Sequence, residues 1–247
     1  MDTPPPSLYH GYRRHDLTCS GAAAILVEPR QPATQRRWIW RMEFFDAFPA
    51  LDLALLARGW WLAYIGVGNT FGCPAALRTL DAFYAWMTAE QGFHHRPVLE
   101  GLSRGGLYAY NWAIAHPDVV GLLFADNPVC DFRSWPGGKG SGPGSPENWS
   151  ELQRCYGFAS DAEAMAWPGH PVDNLAPLVA AGVPLLHSFG DADEVVPWEE
   201  NTAVVAARVA ALGGSMTLLR KPGGRHHPHG PPDSEACADW IIANART

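Results

Sequence analysis

Long apolar runs are missing from this chain. Its most hydrophobic stretches, such as Val119–Ala125, span a few residues, whereas a membrane-crossing helix needs roughly 20. Charge is also sparse, 17% of residues, and its balance is acidic at −7. That removes the electrostatic case for nucleic acid or an anionic membrane surface as a partner. Cysteine is scarce and unpatterned: Cys19, Cys73, Cys130, Cys155 and Cys237 form no CxxC pair, which excludes a zinc knuckle. An odd count leaves at least one thiol unpaired in a single chain, and small buried residues are favoured over a disulfide framework. Met1–Pro6 carries neither the basic stretch nor the apolar run of a secretion signal, so a cytoplasmic protein is the default expectation. A secreted or periplasmic protein whose signal has been removed is the alternative. No internal repeat is visible.

What is present is length and apolar content. The 247 residues, 47% of them hydrophobic, suffice for one α/β domain over 1–247 with a substantial core. Apolar runs alternate with helical periodicity, the order of a mostly parallel sheet with crossover helices. Eight strands are predicted: Tyr9–Cys19, Ala22–Glu28, Arg37–Trp40, Trp60–Val67, Val98–Gly101, Val119–Ala125, Val183–Phe189 and Met216–Arg220. Helices are predicted at Pro74–Glu90, Leu107–Ala115, Glu199–Leu212 and Ser234–Asn244. Between strands six and seven, residues 127–182 form an irregular insert rich in Gly, Pro and Ser, with a short helical patch around Trp149–Gly157. An excursion of that length is expected to act as a lid. Its Gly-Gly-Lys-Gly-Ser piece lacks the first glycine and the strand spacing of a phosphate loop.

Three segments carry chemistry. Gly101-Leu102-Ser103-Arg104-Gly105-Gly106 joins a buried-type strand to a helix. A serine hydroxyl is a weak nucleophile until it is held in the open beside a base. A sharp strand-to-helix turn does this, and it demands small residues two before and two after the serine. Gly190-Asp191-Ala192-Asp193-Glu194-Val195-Val196-Pro197 follows strand seven, and Lys221-Pro-Gly-Gly-Arg-His226-His227-Pro-His229 follows strand eight. Nucleophile, acid and histidine in that chain order, each at the C-terminal end of a strand, converge on one sheet edge.

With these pieces the chain resembles the α/β-hydrolases over nearly its whole length. The likeness is to the branch containing dienelactone-hydrolase and prolyl-oligopeptidase-type catalytic domains. The resemblance implies a three-layer fold with an eight-stranded sheet, no cofactor, and a serine nucleophile at Ser103. The pattern Gly-x-x-Asp-x-Val-Val-Pro then selects Asp193 over Asp191, and a histidine after a glycine-rich turn selects His226. Trp38-Ile-Trp-Arg, Ser-Arg-Gly-Gly, Asn127-Pro-Val-Cys-Asp and His-His-Pro-His resemble bacterial hydrolases found among polysaccharide-degrading enzymes, which implies a carbohydrate-linked ester as substrate. Oxyanion donors are expected from the backbone N–H of Arg104 and from the loop after strand three, around Arg41 and Met42.

Alternatives stand beside these roles. Asp126 and Asp131 are other candidate acids. No HExxH and no carboxylate at ligand spacing accompanies His226, His227 and His229, so no metal is expected. His227 and His229 are expected to stabilise the turn or line the pocket. Arg104, Asp131, Arg133, Trp135 and Lys139 border the expected cleft; they either grip a polar or anionic substrate or, for Arg104 and Asp131, form an ion pair under the lid. Trp40, Trp135, Trp149 and Trp167 are candidates for stacking on sugar rings, with core burial the competing role of each. The leading function is a serine esterase for short acyl or methyl esters. A prolyl-oligopeptidase-like peptidase or amidase and a non-catalytic binder on the same scaffold are the alternatives.

Overall fold

The computed structural model describes residues 5–247. Its strands are β1 (Ser7–Tyr9), β2 (Tyr12–Cys19), β3 (Ala22–Glu28), β4 (Trp38–Arg41), β5 (Trp61–Ile65), β6 (Val98–Leu102), β7 (Leu122–Asp126), β8 (Leu185–Gly190) and β9 (Thr217–Lys221). They form one sheet in the order β1-β2-β3-β5-β4-β6-β7-β8-β9. The pairs from β1 through β3 to β5 are antiparallel, and all the others are parallel. The sheet therefore has nine strands where the apolar runs predict eight. The extra one arises at the start, where His10 and Gly11 adopt positive φ and fold the single run into a hairpin with Tyr9 opposite Tyr12.

The helices are α1 (Ala50–Ala57), α2 (Pro74–Ala85), α3 (Gly105–Ala115), α4 (Pro146–Tyr156), α5 (Asp161–Met165), α6 (Ala176–Ala180), α7 (Thr202–Ala211) and α8 (Ser234–Asn244). Side chains alternate across a strand, so each central strand feeds two cores. Trp38 and Trp40 pack with α2 and α3 residues Phe83, Tyr108 and Trp112, whereas Ile39 between them packs with Leu51 and Leu55 of α1 and Ile241 of α8. Helices thus cover both faces, the expected three-layer arrangement. α1 has no counterpart in the sequence prediction, because Leu-Asp-Leu-Ala-Leu-Leu buries five of its eight positions and shows little helical period.

The insert between β7 and β8 is packed rather than loose. Phe132, Trp149, Leu152 and Ala164 form a third apolar cluster with Phe71 and Leu107. Ser145 caps α4 through the Asn148 N–H, and Gly157 ends it in the left-handed conformation that glycine adopts at least cost. All five cysteines are free, four of them buried. Among the described residues, no helix is long and apolar enough to cross a membrane.

Candidate active site

β6 ends at Leu102 and α3 starts at Gly105, so the chain must reverse within two residues. It does so at Ser103, whose φ of 50° is uncommon for a residue with a side chain. The turn is held by backbone hydrogen bonds: Ser103 N–H donates to Asp126 O at 3.0 Å, and Ser103 O accepts from Val129 N–H at 2.9 Å. A methyl on Gly101 would meet Gly105 O at 2.8 Å, and one on Gly106 would meet Pro128 and Val129 at 2.7 Å. Gly105 is different. Its nearest neighbour would be Glu43 Cβ at 3.6 Å, ordinary contact, so steric need falls on Gly101 and Gly106.

Ser103 Oγ lies 2.9 Å from His226 Nε2. His226 Nδ1 lies 2.8 Å from Asp193 Oδ2. The other oxygen of Asp193 accepts the N–H groups of Val195 and Val196, both at 2.9 Å. Both Asp193 and His226 are buried. This fixes the carboxylate, which fixes the imidazole so that Nε2 faces the hydroxyl. Asn127, at the end of β7, clasps the supporting loops: its amide donates to Arg225 O and His226 O and accepts from Gly190 N–H, all within 3.1 Å.

A cavity of about 330 Å³ opens over Ser103, lined by Phe44, Ala47, Phe48, Leu102, Arg104, Trp135, Asn148, Val195 and the three histidines. Its volume lies at the small end for ligand sites. Its walls are mostly apolar.

The predicted neighbours divide. Arg104 N–H, at the start of α3, has no acceptor among the described residues, as an oxyanion donor requires. The Arg104 side chain is bound by Glu43 at 2.9 and 3.1 Å and by Asn69 at 2.6 Å, not by Asp131. Burial raises the Glu43 carboxyl above the usual range, against the opposing pull of Arg104.

Arg41 is corrected. Arg37 O accepts from Trp61 on β5 while Met42 N–H donates to Glu100 on β6, so by strand alternation the backbone of Arg41 faces β5, away from Ser103. Its buried side chain pairs with Asp52 at 2.6 Å and with Glu100, and holds the carbonyls of Glu43 and Ala47. Arg41 therefore staples the loop that walls the cavity. Further along the same loop, Phe44 lines the cavity, and its N–H has no acceptor among the described residues. Phe44, Asp46 and Phe48 all have positive φ, three costly conformations in one short loop.

Asp131 and Arg133 are also corrected as cleft residues. They bind each other, with Asp173 and His170 alongside, and neither lines the cavity. Lys139 pairs with Asp161. Trp135 and His227 do line the cavity. Of the other tryptophans proposed for stacking, Trp40 is fully buried and Trp149 nearly so, and Trp167 borders a separate cavity.

Asp126 is fully buried and carries a partner set of its own: Lys221 Nζ at 2.8 Å, His229 Nδ1 at 2.6 Å and Gly230 N–H at 3.0 Å. Burial pushes its carboxyl up, but His229 and Lys221 together hold it below the ordinary value. It therefore orients His229, not His226. Although sequence spacing offers no metal ligand set, folding brings one ring nitrogen each from His226, His227 and His229 within 4.8 Å of one another.

The insert is latched to the segment after Asp193. Glu200 accepts from Ser134 Oγ at 2.6 Å, from Ser141 Oγ at 2.7 Å and from Ser141 N–H. Asn201 accepts the N–H groups of Cys130 and Asp131. Neither Glu200 nor Asn201 stands out in the sequence, and Asn127 shows there only as the start of a motif, since each acts on backbone or hydroxyl partners distant along the chain.

No family model matches the chain, and no curated protein matches it. Solved structures do. Dipeptidyl peptidase 4 of Porphyromonas gingivalis superposes with a TM-score of 0.70 at 13% identity, over 96% of this chain and 36% of that one. Acylaminoacyl peptidase of Pyrococcus horikoshii gives 0.67 at 11%, over 96% and 42%. Est1E of Butyrivibrio proteoclasticus gives 0.63 at 16%, over 94% of this chain and 98% of its own length. The chain spans about two fifths of the peptidases it matches.

Proposed function

Starting from a chain with the α/β-hydrolase fold, we propose that it is a serine hydrolase that cleaves short, neutral carboxylic esters through an acyl-enzyme. The observation that carries this reading is the unbroken relay from Ser103 through His226 to Asp193, with contacts of 2.9 and 2.8 Å, at the floor of an apolar cavity.

The roles follow from the contacts. His226 Nε2 takes the Ser103 proton as Oγ attacks the ester carbonyl. Asp193 keeps the imidazole in the right tautomer and balances the imidazolium that forms. The N–H groups of Arg104 and Phe44, which line the cavity without acceptors among the described residues, are the donors available to the oxyanion. His226 then protonates the leaving alcohol, and water repeats the sequence in reverse to release the acid.

The cavity supports the substrate class. Its volume suits a short acyl group or one ring, and each further methylene would gain only about 0.8 kcal/mol if room were found for it. Arg104, Arg133 and Lys139 are each neutralised by a carboxylate, which favours an uncharged group over a uronate. A peptide backbone would bring N–H and C=O groups for which the walls supply few partners beyond Asn148 and the histidines. A carbohydrate alcohol fits on the open side, beside Trp135 and His227.

The test is a matched set of acetyl, butyryl, octanoyl and anilide substrates, with a fluorophosphonate probe. Turnover should be highest on acetyl or butyryl esters, fall steeply by octanoyl, and be lowest on anilides, with the probe on Ser103. Preferential cleavage of the anilides would replace the ester reading with an amidase, and probe attachment elsewhere would remove the nucleophile assignment.

A further inference from the structure

Two of the three clustered histidines are already oriented by buried carboxylates: His226 Nδ1 faces Asp193 at 2.8 Å and His229 Nδ1 faces Asp126 at 2.6 Å. In the neutral ring that leaves Nε2 as the nitrogen carrying the lone pair, engaged only by the Ser103 hydroxyl at His226. A carboxylate behind an imidazole is the support that metal-bound histidines use, because it fixes the tautomer and raises ligand basicity. The third ring, His227, is exposed at the cavity mouth and has no hydrogen-bond partner among the described residues. The three rings meet edge to face, with centroids 4.8 to 4.9 Å apart.

We propose that His226, His227 and His229 bind one zinc-class divalent ion, borderline-soft and nitrogen-seeking, which switches the active site off. The donor set is three imidazoles without a thiolate, which suits zinc, copper or nickel and not magnesium or calcium. Zinc–nitrogen bonds of about 2.0 Å place tetrahedral nitrogens about 3.3 Å apart. One ring nitrogen of each histidine starts within 4.8 Å of the other two, so closing the set takes shifts of up to about 1.5 Å per pair, for which exposed His227 has the most freedom. Water completes the coordination.

The inhibitory part rests on the proposed hydrolase reading; the binding part does not. The lone pair of His226 Nε2 that accepts the Ser103 proton is the one the ion takes. An occupied site has no general base, and Ser103 loses its hydrogen-bond partner. No bond is made or broken in the polypeptide, so removal of the ion restores the relay.

Binding and inhibition are measured separately. Zinc is titrated calorimetrically into chelator-treated Ser103→Ala protein, then into the same protein carrying His227→Ala or, separately, His229→Gln. One ion per chain at micromolar affinity is expected, weakened at least tenfold by either histidine change. Magnesium should give no heat. In parallel, zinc should suppress ester turnover and fluorophosphonate labelling of the wild type, each normalised to its own metal-free rate, with recovery on adding chelator. No zinc binding, or binding unaffected by both histidine changes, would overturn the site. Binding as expected with wild-type turnover undiminished or increased would overturn the switch. If the protein proves not to be a hydrolase, calorimetry still decides the site.

Discussion

Two aspartate–histidine pairs sit side by side at the end of the sheet, their imidazole centroids 4.9 Å apart, and only one is joined to a serine. Both join a buried carboxylate to Nδ1 at nearly the same distance. The difference lies in what surrounds each. Asp193 is held by two backbone N–H groups of its own loop, and its histidine faces Ser103. Asp126 is neutralised by Lys221, and its histidine faces the cavity beside Phe48. An aspartate–histidine pair is therefore not in itself a catalytic device. On the proposed reading, the serine in front of Nε2 makes it one.

The comparison breaks first at the serine. Ser103→Ala should lower ester turnover by about a millionfold, the usual cost of losing such a nucleophile, and Asp193→Asn by about ten-thousandfold. Asp126→Asn should divide the two pairs: turnover within about tenfold of wild type, and a stability loss of about 3 kcal/mol in urea melts, because Lys221 stays buried without its counter-charge. Turnover falling as far as in Asp193→Asn, with the fold intact, would erase the distinction.

A further contrast sits within the elbow itself. Gly101→Ala forces a methyl against the Gly105 carbonyl and should cost about 3 kcal/mol, whereas Gly105→Ala should cost well under 1 kcal/mol. Equal melting temperatures for the two variants would contradict the packing described above. Behind the elbow, His187 is buried between Tyr110 and Thr202, and burial pushes it down to about 3. The unfolded chain, with a value near 6.5, binds a proton there that the folded chain refuses. Stability is thus full above about pH 6.5 and falls as pH drops toward 3. Between pH 6.5 and 5 the loss from this group should be roughly 2 kcal/mol, and it should be absent in His187→Gln melts. The smallest effect is expected at Arg133→Ala. Its Michaelis constants for anionic and neutral esters should change by the same factor, within about twofold; a selective rise for the anionic ester would restore Arg133 to the binding site.

The legible part of the site was the part written in local pattern. A glycine-flanked serine after a buried strand, an acid after Phe189-Gly190 and a histidine after Gly223-Gly224 each declare themselves within a few residues. Partners chosen across the fold did not. Arg104 pairs with Glu43 and not Asp131 because the β4–α1 loop, carrying three left-handed residues, delivers Glu43 to the elbow. Nothing in Phe-Phe-Asp-Ala-Phe announces those conformations. Arg41 reads as a loop residue by position, yet Asp52 and Glu100 draw its side chain into the core. In the fold, the parallel strands were legible as apolar runs. The hairpin that makes a ninth strand turns on His10, and α1 is buried too widely to display a period.

The Glu200 latch changes how the segment 136–145 should be regarded. Its string of glycines, prolines and serines has the composition of a slack tether, the kind of stretch a protease nicks first and an engineer chooses for an insertion. Here the glycines serve close approach. A methyl at Gly144 would lie 2.6 Å from Gly138, and one at Gly140 would lie 2.3 Å from the Glu200 carboxylate. The segment is a fitted plug whose material happens to be glycine, and because its clasp follows Asp193 in the same loop, lengthening the plug would pull on the acid.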